Sequence, residues 1–209
     1  MISTFLSTSI TPHQLFFVLA KKELNQEVIL KLATEIEGHT DNVAPAIYGG
    51  MTISVMEEDR VHCVKLPFHH SYQFVALIPD FTLSTKQARE VLPQTYSRED
   101  TVTNTSHFAL LLASLVEGND ESIKLGLEDK VHQPYRGKLI PGYFEIMELL
   151  NHDSRVLGTY LSGAGPTIMV MMKEEDKDAT SYLQSLLGQY IASWKILSLK
   201  VDQDGYQVI

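Results

Sequence analysis

The chain holds one cysteine, Cys63, so no intrachain disulfide can staple it. Such usage suits a reducing compartment. Its neighbours, Val61-His-Cys-Val-Lys-Leu66, read as a strand, and the thiol is expected as a buried apolar group rather than a reactive one. Long apolar runs are also lacking. Leu15-Phe-Phe-Val-Leu-Ala20 spans six residues before Lys21-Lys-Glu23 interrupts it. Such a run is too short to cross a bilayer. Met1 to Ile10 lacks the basic residues that open a secretory signal. No membrane partner is expected, and a cytoplasmic location follows. Positive charge is in deficit: 17 Lys and Arg stand against 26 Asp and Glu, a net charge of −9. An acidic chain gains nothing from a polyanionic backbone, so no nucleic-acid partner is expected. A local group of cations can still hold a small phosphorylated molecule. Recognisable catalytic spacings are absent too: no His-Glu-x-x-His pair and no Ser/His/Asp arrangement can be picked out. His69 and His70 would point to opposite sides of any regular element, and His107 and His132 have no evident partner.

What is present is an ordinary globular composition, 44% hydrophobic and 21% charged over 209 residues. That length supports one large domain or two small ones without staples. Thr11-Pro12 could open a helix to about Glu23. Asn25 reads as a second cap, before an apolar stripe of Val28, Ile29, Leu32, Ala33 and Ile36. Gly38 would end that helix. Strands are expected over Ala46–Val55, beginning at a glycine pair, and over Val61–Leu66, joined by a turn at Glu57-Glu-Asp-Arg60. Pro67–Ser71 reads as a linker and Tyr72–Ile78 as a third strand. Helical patterns follow at 84–91, 104–117, 120–127 and 142–150. Strands are expected at 156–161 and 167–172, a helix near 176–188, and strands near 194–201 and 206–209. Interspersed strands and helices with antiparallel neighbours make an α+β pattern.

Four segments could carry chemistry. Glu35-Ile-Glu-Gly-His-Thr-Asp-Asn-Val-Ala-Pro45 places Glu37, His39, Asp41 and Asn42 just past a helix end. One glutamate can suffice for Mg²⁺, which takes its other ligands from water and phosphate. A helix C-terminus followed by an Asx-type turn explains the same residues. Thr85-Lys-Gln-Ala-Arg89 opens a helix, with Ser84 or Thr85 as cap, and Arg89 lies one turn on from Thr85. It could clamp an anion in a bidentate way, or belong to a solvated face beside Glu90. Arg136-Gly-Lys-Leu-Ile-Pro141 reads by default as an exposed loop carrying surface charge before a helix. Leu161-Ser-Gly-Ala-Gly-Pro-Thr167 lies between two strands, which is the wrong setting for a nucleotide-binding loop. It is otherwise a glycine-rich hairpin whose backbone could approach a ligand closely.

The order and spacing of these blocks are more specific than any one of them. Glu37-Gly-His-x-Asp-Asn-Val-Ala-Pro-Ala-Ile47 with Gly49-Gly50, Thr85-Lys-x-Ala-Arg89 with Leu92-Pro93, Arg136 to Pro141, and Leu161 to Pro166 resemble, in sequence, the signatures of homoserine kinases, members of the GHMP kinases. The resemblance runs from about residue 25 to 209. It implies a GHMP-kinase-like fold: a partial ribosomal-S5-like N-terminal domain over 1–67 and a ferredoxin-like α/β sandwich over 71–209. It implies transfer of phosphate from ATP to the hydroxyl of L-homoserine in threonine biosynthesis, with Mg²⁺ as cofactor, and a homodimer as the assembly. It assigns Glu37, or Glu35 in its place, to the metal. His39 and Asp41 would bind substrate, Asp41 taking the ammonium. Arg89 and Arg136 would hold the carboxylate or the moving phosphoryl group. Arg89, Asn42 and Thr85 would stand at the transfer point, and Gly163 would set backbone against substrate.

Two departures stand out. Thr40 occupies a position where the family has proline, which should loosen the turn slightly. The family's glycine- and serine-rich phosphate loop at a helix start has no counterpart here, and Ser7-Thr8-Ser9 is no substitute. A truncated or frameshifted product is therefore expected, with unpaired strand edges and an exposed apolar face, and with transfer impaired because a preorganised donor set is missing. The alternatives are an inactive fragment that binds an amino acid, an interaction module working through its sheet edge, or a kinase for mevalonate or a sugar. The acidic His39-x-Asp41-Asn42 segment, suited to an ammonium group, argues against the last. Urea unfolding of the whole chain should show a stable C-terminal transition and a separate weak N-terminal one; a single sharp, ATP-sensitive transition would refute this.

Overall fold

The structure is a computed structural model and describes residues 25–207. The helix expected over Thr11–Glu23, the comparison of Ser7-Thr8-Ser9 with a phosphate loop, and the final two positions of the strand expected at 206–209 lie outside the described residues. The chain divides into two compact units. One comprises the residues up to Phe68 together with the segment from Val201; the other is His69–Lys200. The segment from Val201, expected with the second domain, thus clusters with the first.

In the first unit, α1 (Gln26–Glu37) begins where the Asn25 side chain accepts the Glu27 N–H. It ends at Gly38, whose φ of 83° is left-handed and whose N–H closes on Thr34 O. Both ends are as expected. Helix α2 (Val43–Tyr48) follows, then β1 (Met51–Glu57) and β2 (Arg60–Leu66), an antiparallel hairpin. The strand expected from Ala46 is therefore corrected at its start. Pro45 falls in the first turn of α2, where its missing N–H costs nothing, and residues 46–48 continue that helix. Gly49 and Gly50 do not open a strand. They are a landing place for backbone. Gly50 N–H donates to Asp202 O (2.6 Å), Tyr206 N–H to Ile47 O (3.2 Å), and Lys65 Nζ to both Tyr48 O and Gln203 O (2.6 Å each). A Cβ on Gly205 would lie 2.4 Å from Gly49 N. Residues 206 and 207 form no strand; the segment is held to the unit through Gly50, Tyr206 and Lys65.

Leu30, Ala44 and Ile47 are the small core of this unit, with Val61 and Cys63 packed against it. Cys63 is half-buried, not fully buried as expected, because a two-stranded hairpin has only one covered face. On the other face Ile53, Val55 and Val64 remain exposed, Val55 and Val64 at 58% each. The expected exposed apolar face is present.

In the second unit, β3 (Tyr72–Ile78) leads into α3 (Thr85–Glu90), α4 (Arg98–Glu117), a 3₁₀ turn at Asp120–Ser122 and α5 (Ile123–Gly126). Then come α6 (Gln133–Arg136), a second 3₁₀ turn (Gly137–Leu139), α7 (Tyr143–His152), β4 (Gly158–Leu161), β5 (Ile168–Lys173), α8 (Ala179–Leu187) and β6 (Lys195–Leu199). Helix α4 starts earlier than expected because Ser97 caps it, accepting the Asp100 N–H at 2.9 Å. The four strands form one antiparallel sheet in the order β4-β5-β3-β6. That is the βαββαβ arrangement of a ferredoxin-like α/β sandwich, as expected. β3 and β5 are buried along nearly their whole length, on both faces, so their sequences read as continuous apolar runs rather than alternations. Val75, Leu77, Ile168, Val170 and Met172 meet Ile146 and Leu150 of α7 and Leu183 and Leu187 of α8 in the main core.

Substituting Gly205 by Ala puts a Cβ into rigid backbone. It should cost more than about 1 kcal/mol and strip exchange protection from the Gly50 amide. Wild-type-like exchange there would show that the tail is not anchored on the glycine pair.

Candidate functional site

The sequence-predicted residues fall in two groups, one in each unit. In the first, the left-handed Gly38 turns the chain off α1 and sets His39, Asp41 and Glu37 together. His39 Nδ1 contacts Asp41 Oδ1, and Nε2 lies 3.9 Å from Glu37 Oε1. The imidazole thus sits between two carboxylates. Asp41 Oδ1 also accepts the Asn42 N–H at 3.1 Å, and Asn42 immediately precedes α2. Thr40 does not loosen this turn. It is buried, its Oγ1 donates to Ser54 O on β1 (3.3 Å), and its carbonyl accepts the Ala44 N–H that begins α2. Proline could supply no such side-chain tie.

Glu37 fits a hard cation. It is exposed, lies at the carbonyl end of α1, where the helix dipole favours positive charge, and faces the His39 ring at 3.9 Å. Glu35 is paired with Lys31 at 3.8 Å. Among the described residues no three potential metal-ligating side chains are arranged to hold a metal ion by themselves. A Mg²⁺ held by Glu37 would complete its shell with water and phosphate oxygens, as that ion commonly does.

In the second unit, Ser84 is the cap of α3. Its Oγ accepts the Gln87 N–H, and Gln87 Oε1 accepts the Ser84 N–H (3.2 Å each). Thr85 and Arg89 are therefore free of capping duty; both are exposed, and Arg89 forms no ion pair among the described residues. Glu90 pairs with Lys86 instead, at 3.9 Å. Gly163 lies in the β4–β5 loop at φ 56°, with no atom within 4 Å of where a Cβ would stand.

Arg136 overturns the expectation of an exposed surface charge. It closes α6 and is only 5% exposed. Its Nε donates to Ala88 O (3.2 Å) and its Nη1 to Gly163 O (3.0 Å). Burial opposes its charge, Asp129 and Tyr96 offset that, and Arg89 adds repulsion. Two cations so placed are relieved by an anion. The structure thus brings Arg89, Arg136 and Gly163 together around α3 and the glycine loop.

The residues that build this group were not singled out in the sequence. Asp129 accepts the N–H groups of Val131, His132 and Gln133 (2.8, 2.9 and 2.6 Å), capping α6. Gln133 Oε1 accepts the Leu161 N–H and the Tyr143 hydroxyl (3.1 Å each). Aspartate followed by Gln133-Pro134 is a readable helix-start signal. Gly137 is obligatory, since a Cβ there would lie 2.2 Å from the Tyr143 ring. His132 has a partner after all, Asp129 at 3.9 Å, and His107 Nδ1 lies 3.2 Å from Glu128 O. His69 and His70 do not point apart. In an irregular linker no alternation applies, and their rings stack at 4.8 Å.

Residues 111–185 match the family model described as GHMP kinases C terminal. A homoserine kinase of Clostridium botulinum strain 657 is 44% identical over 187 residues, covering 90% of this chain and 63% of the relative. One of Clostridium beijerinckii is 40% identical over 188 residues, with the same coverage. The crystal structure of homoserine kinase from Cytophaga hutchinsonii superposes with a TM-score of 0.80 at 26% identity, covering 91% of this chain and 62% of that one. A mevalonate diphosphate decarboxylase from Staphylococcus aureus, at 13% identity and TM-score 0.63, shares the fold. The chain spans about 63% of the length of the curated relatives it matches. Over residues 111–185 the chain is similar to the C-terminal domain of the GHMP kinases. The curated relatives named above are homoserine kinases.

Burial holds the pKa of His132 below the ordinary value, against the pull of Asp129 and with Arg136 adding to the effect. The unfolded chain then takes up the proton first. The stability this contributes is intact above about pH 6.5 and drains as the pH falls below it. His132→Gln should flatten the fall in denaturation midpoint between pH 7 and pH 5; an unchanged pH profile would refute the assignment.

Proposed function

We propose that this chain acts as a homoserine kinase. In this reading the side-chain hydroxyl of L-homoserine attacks the terminal phosphorus of ATP. The bond from that phosphorus to the ADP oxygen breaks, and the hydroxyl proton leaves to solvent. O-phosphohomoserine and ADP result. Arg89 carries the reading: an exposed guanidinium, without an ion pair among the described residues, held on a capped helix beside a buried second cation. Such a group is suited to a carboxylate or a phosphoryl oxygen in bidentate geometry.

The resemblance assigns Asp41, which accepts the Asn42 N–H and touches the His39 ring, to the substrate ammonium, and Glu37 to Mg²⁺. It gives Asn42 and Thr85 polar roles in the transfer. Gly163 supplies backbone free of any side chain. Arg136 adds positive charge with its remaining N–H groups. Mg²⁺, when bound, neutralises phosphate charge. Phosphoryl transfer asks mainly for positioning and neutralisation, and no strong dedicated base is required of these residues. A cytoplasmic role in threonine biosynthesis belongs to the same reading, as does a homodimer.

A second reading, a chain that binds L-homoserine without transferring phosphate, is favoured by one observation. Among residues 25–207 the glycine-rich segment, 161–167, lies between strands, and no glycine- and serine-rich loop opens a helix. Titration calorimetry with L-homoserine and with Mg-ATP separates the two, alongside a coupled assay for ADP release. The kinase reading expects both ligands to bind and ADP to appear with homoserine. Arg89→Ala and Asp41→Asn should each weaken homoserine binding about tenfold or more. Homoserine binding without Mg-ATP binding selects the second reading, and failure to bind homoserine overturns both.

A further inference from the structure

We infer that Arg136 is a positioning residue: its single guanidinium locks the peptide before Arg89 and the peptide after Gly163 into a fixed mutual arrangement. The inference deepens the kinase reading and rests on it for the identity of the ligand.

Arg136 Nε holds Ala88 O and Nη1 holds Gly163 O. Ala88 O is one of the carbonyls that the end of a six-residue helix leaves without an intrahelical partner. The Arg136 cation caps it, at the pole where positive charge is favoured. The capped carbonyl belongs to the peptide that leads into Arg89, so the root of the Arg89 side chain is fixed by Arg136. The Gly163 carbonyl is held at a left-handed φ by the same guanidinium. In a trans peptide the C=O and the next N–H point opposite ways. Holding Gly163 O on Arg136 therefore turns the Ala164 N–H away from Arg136.

Arginine is the residue that can do this. Its planar fork presents Nε–H and Nη1–H in fixed directions to two acceptors, while lysine offers a single point charge. The support beneath it is also rigid. Asp129 caps α6, Gly137 packs against the Tyr143 ring, and Gln133 grips the Leu161 N–H at the start of the loop. Burial to 5% exposure leaves the remaining Arg136 donors little access to solvent.

The test uses the whole chain and three variants, Arg136→Lys, Arg136→Ala and Arg89→Ala, with the double variant Arg136→Lys/Arg89→Ala. Amide exchange is measured over 85–92 and 161–167, and L-homoserine affinity by calorimetry. Arg136→Lys keeps the charge but should speed exchange in both segments together. The expected factor is about 10 to 100, the size of lost bonds to a charged group. Its homoserine affinity should fall clearly below that of the wild type, though less far than that of Arg136→Ala, which loses the charge as well. The double variant should lose less affinity than the sum of the two single losses, because Arg136 acts in part through Arg89. Unchanged exchange in either segment, or wild-type affinity in Arg136→Lys with loss only in Arg136→Ala, overturns the inference and leaves charge as its whole role. If the variants do not fold, the wild-type chain still decides. A protected Arg136 Nε–H resonance with hindered Nη rotation supports the lock, and rapid solvent exchange there refutes it. If the wild-type chain fails to bind homoserine, the proposed function falls, while the exchange measurements still judge the lock.

Discussion

A guanidinium taken out of water must find acceptors that replace its hydration, or its burial costs several kcal/mol. In the second unit that demand is met by two backbone carbonyls from segments 75 residues apart in sequence, Ala88 and Gly163. Much of the surrounding architecture serves it. Asp129 sacrifices both carboxylate oxygens to cap α6, which carries Arg136 at its end. Gln133, on the same short helix, satisfies the Leu161 N–H and the buried Tyr143 hydroxyl. Burial raises the pKa of that phenol well above its ordinary value, so it serves as a donor, not as an acid. A four-residue helix with little intrinsic stability is thereby held at both ends and becomes the clamp of the glycine loop.

The first unit depends on a different constraint, close approach of two backbones. Gly49 and Gly205 meet where any side chain would collide, and the segment from Val201 is stitched there by Gly50, Lys65 and Ile47. The unit's core is small, and one face of its hairpin remains apolar and open. Its polar turn is nonetheless well determined. Gly38 ends α1, Thr40 ties to β1, and Asp41 is shared between the His39 ring and the Asn42 N–H.

Local chemistry was legible wherever it acts over a few residues. Asn25 and Gly38 bound a helix because a cap and a left-handed residue are local requirements. The Glu57-Glu-Asp-Arg60 turn, the Tyr72–Ile78 strand and the Ser84 cap were readable for the same reason. Errors arose where a local pattern had two solutions. Ala46-Ile-Tyr48 is apolar enough to open a strand, but it is helical, since Pro45 just before it is at home in a first helical turn. Helix α4 was begun too late because its polar first turn lacks an apolar stripe, although Ser97 marks the cap.

Caps, turns and apolar patterns determined by themselves an α+β arrangement of elements, because each rests on contacts between near neighbours, and the order of four motifs carried the resemblance to GHMP kinases. Only the tertiary structure decided that Arg136 is buried rather than a surface charge, that Gly49-Gly50 receives the C-terminal segment, and that Asp129 and Gln133 support the glycine loop. Those outcomes require partners distant in the chain, and the energy of burying a charge or closing two backbones depends on what the fold brings to meet them.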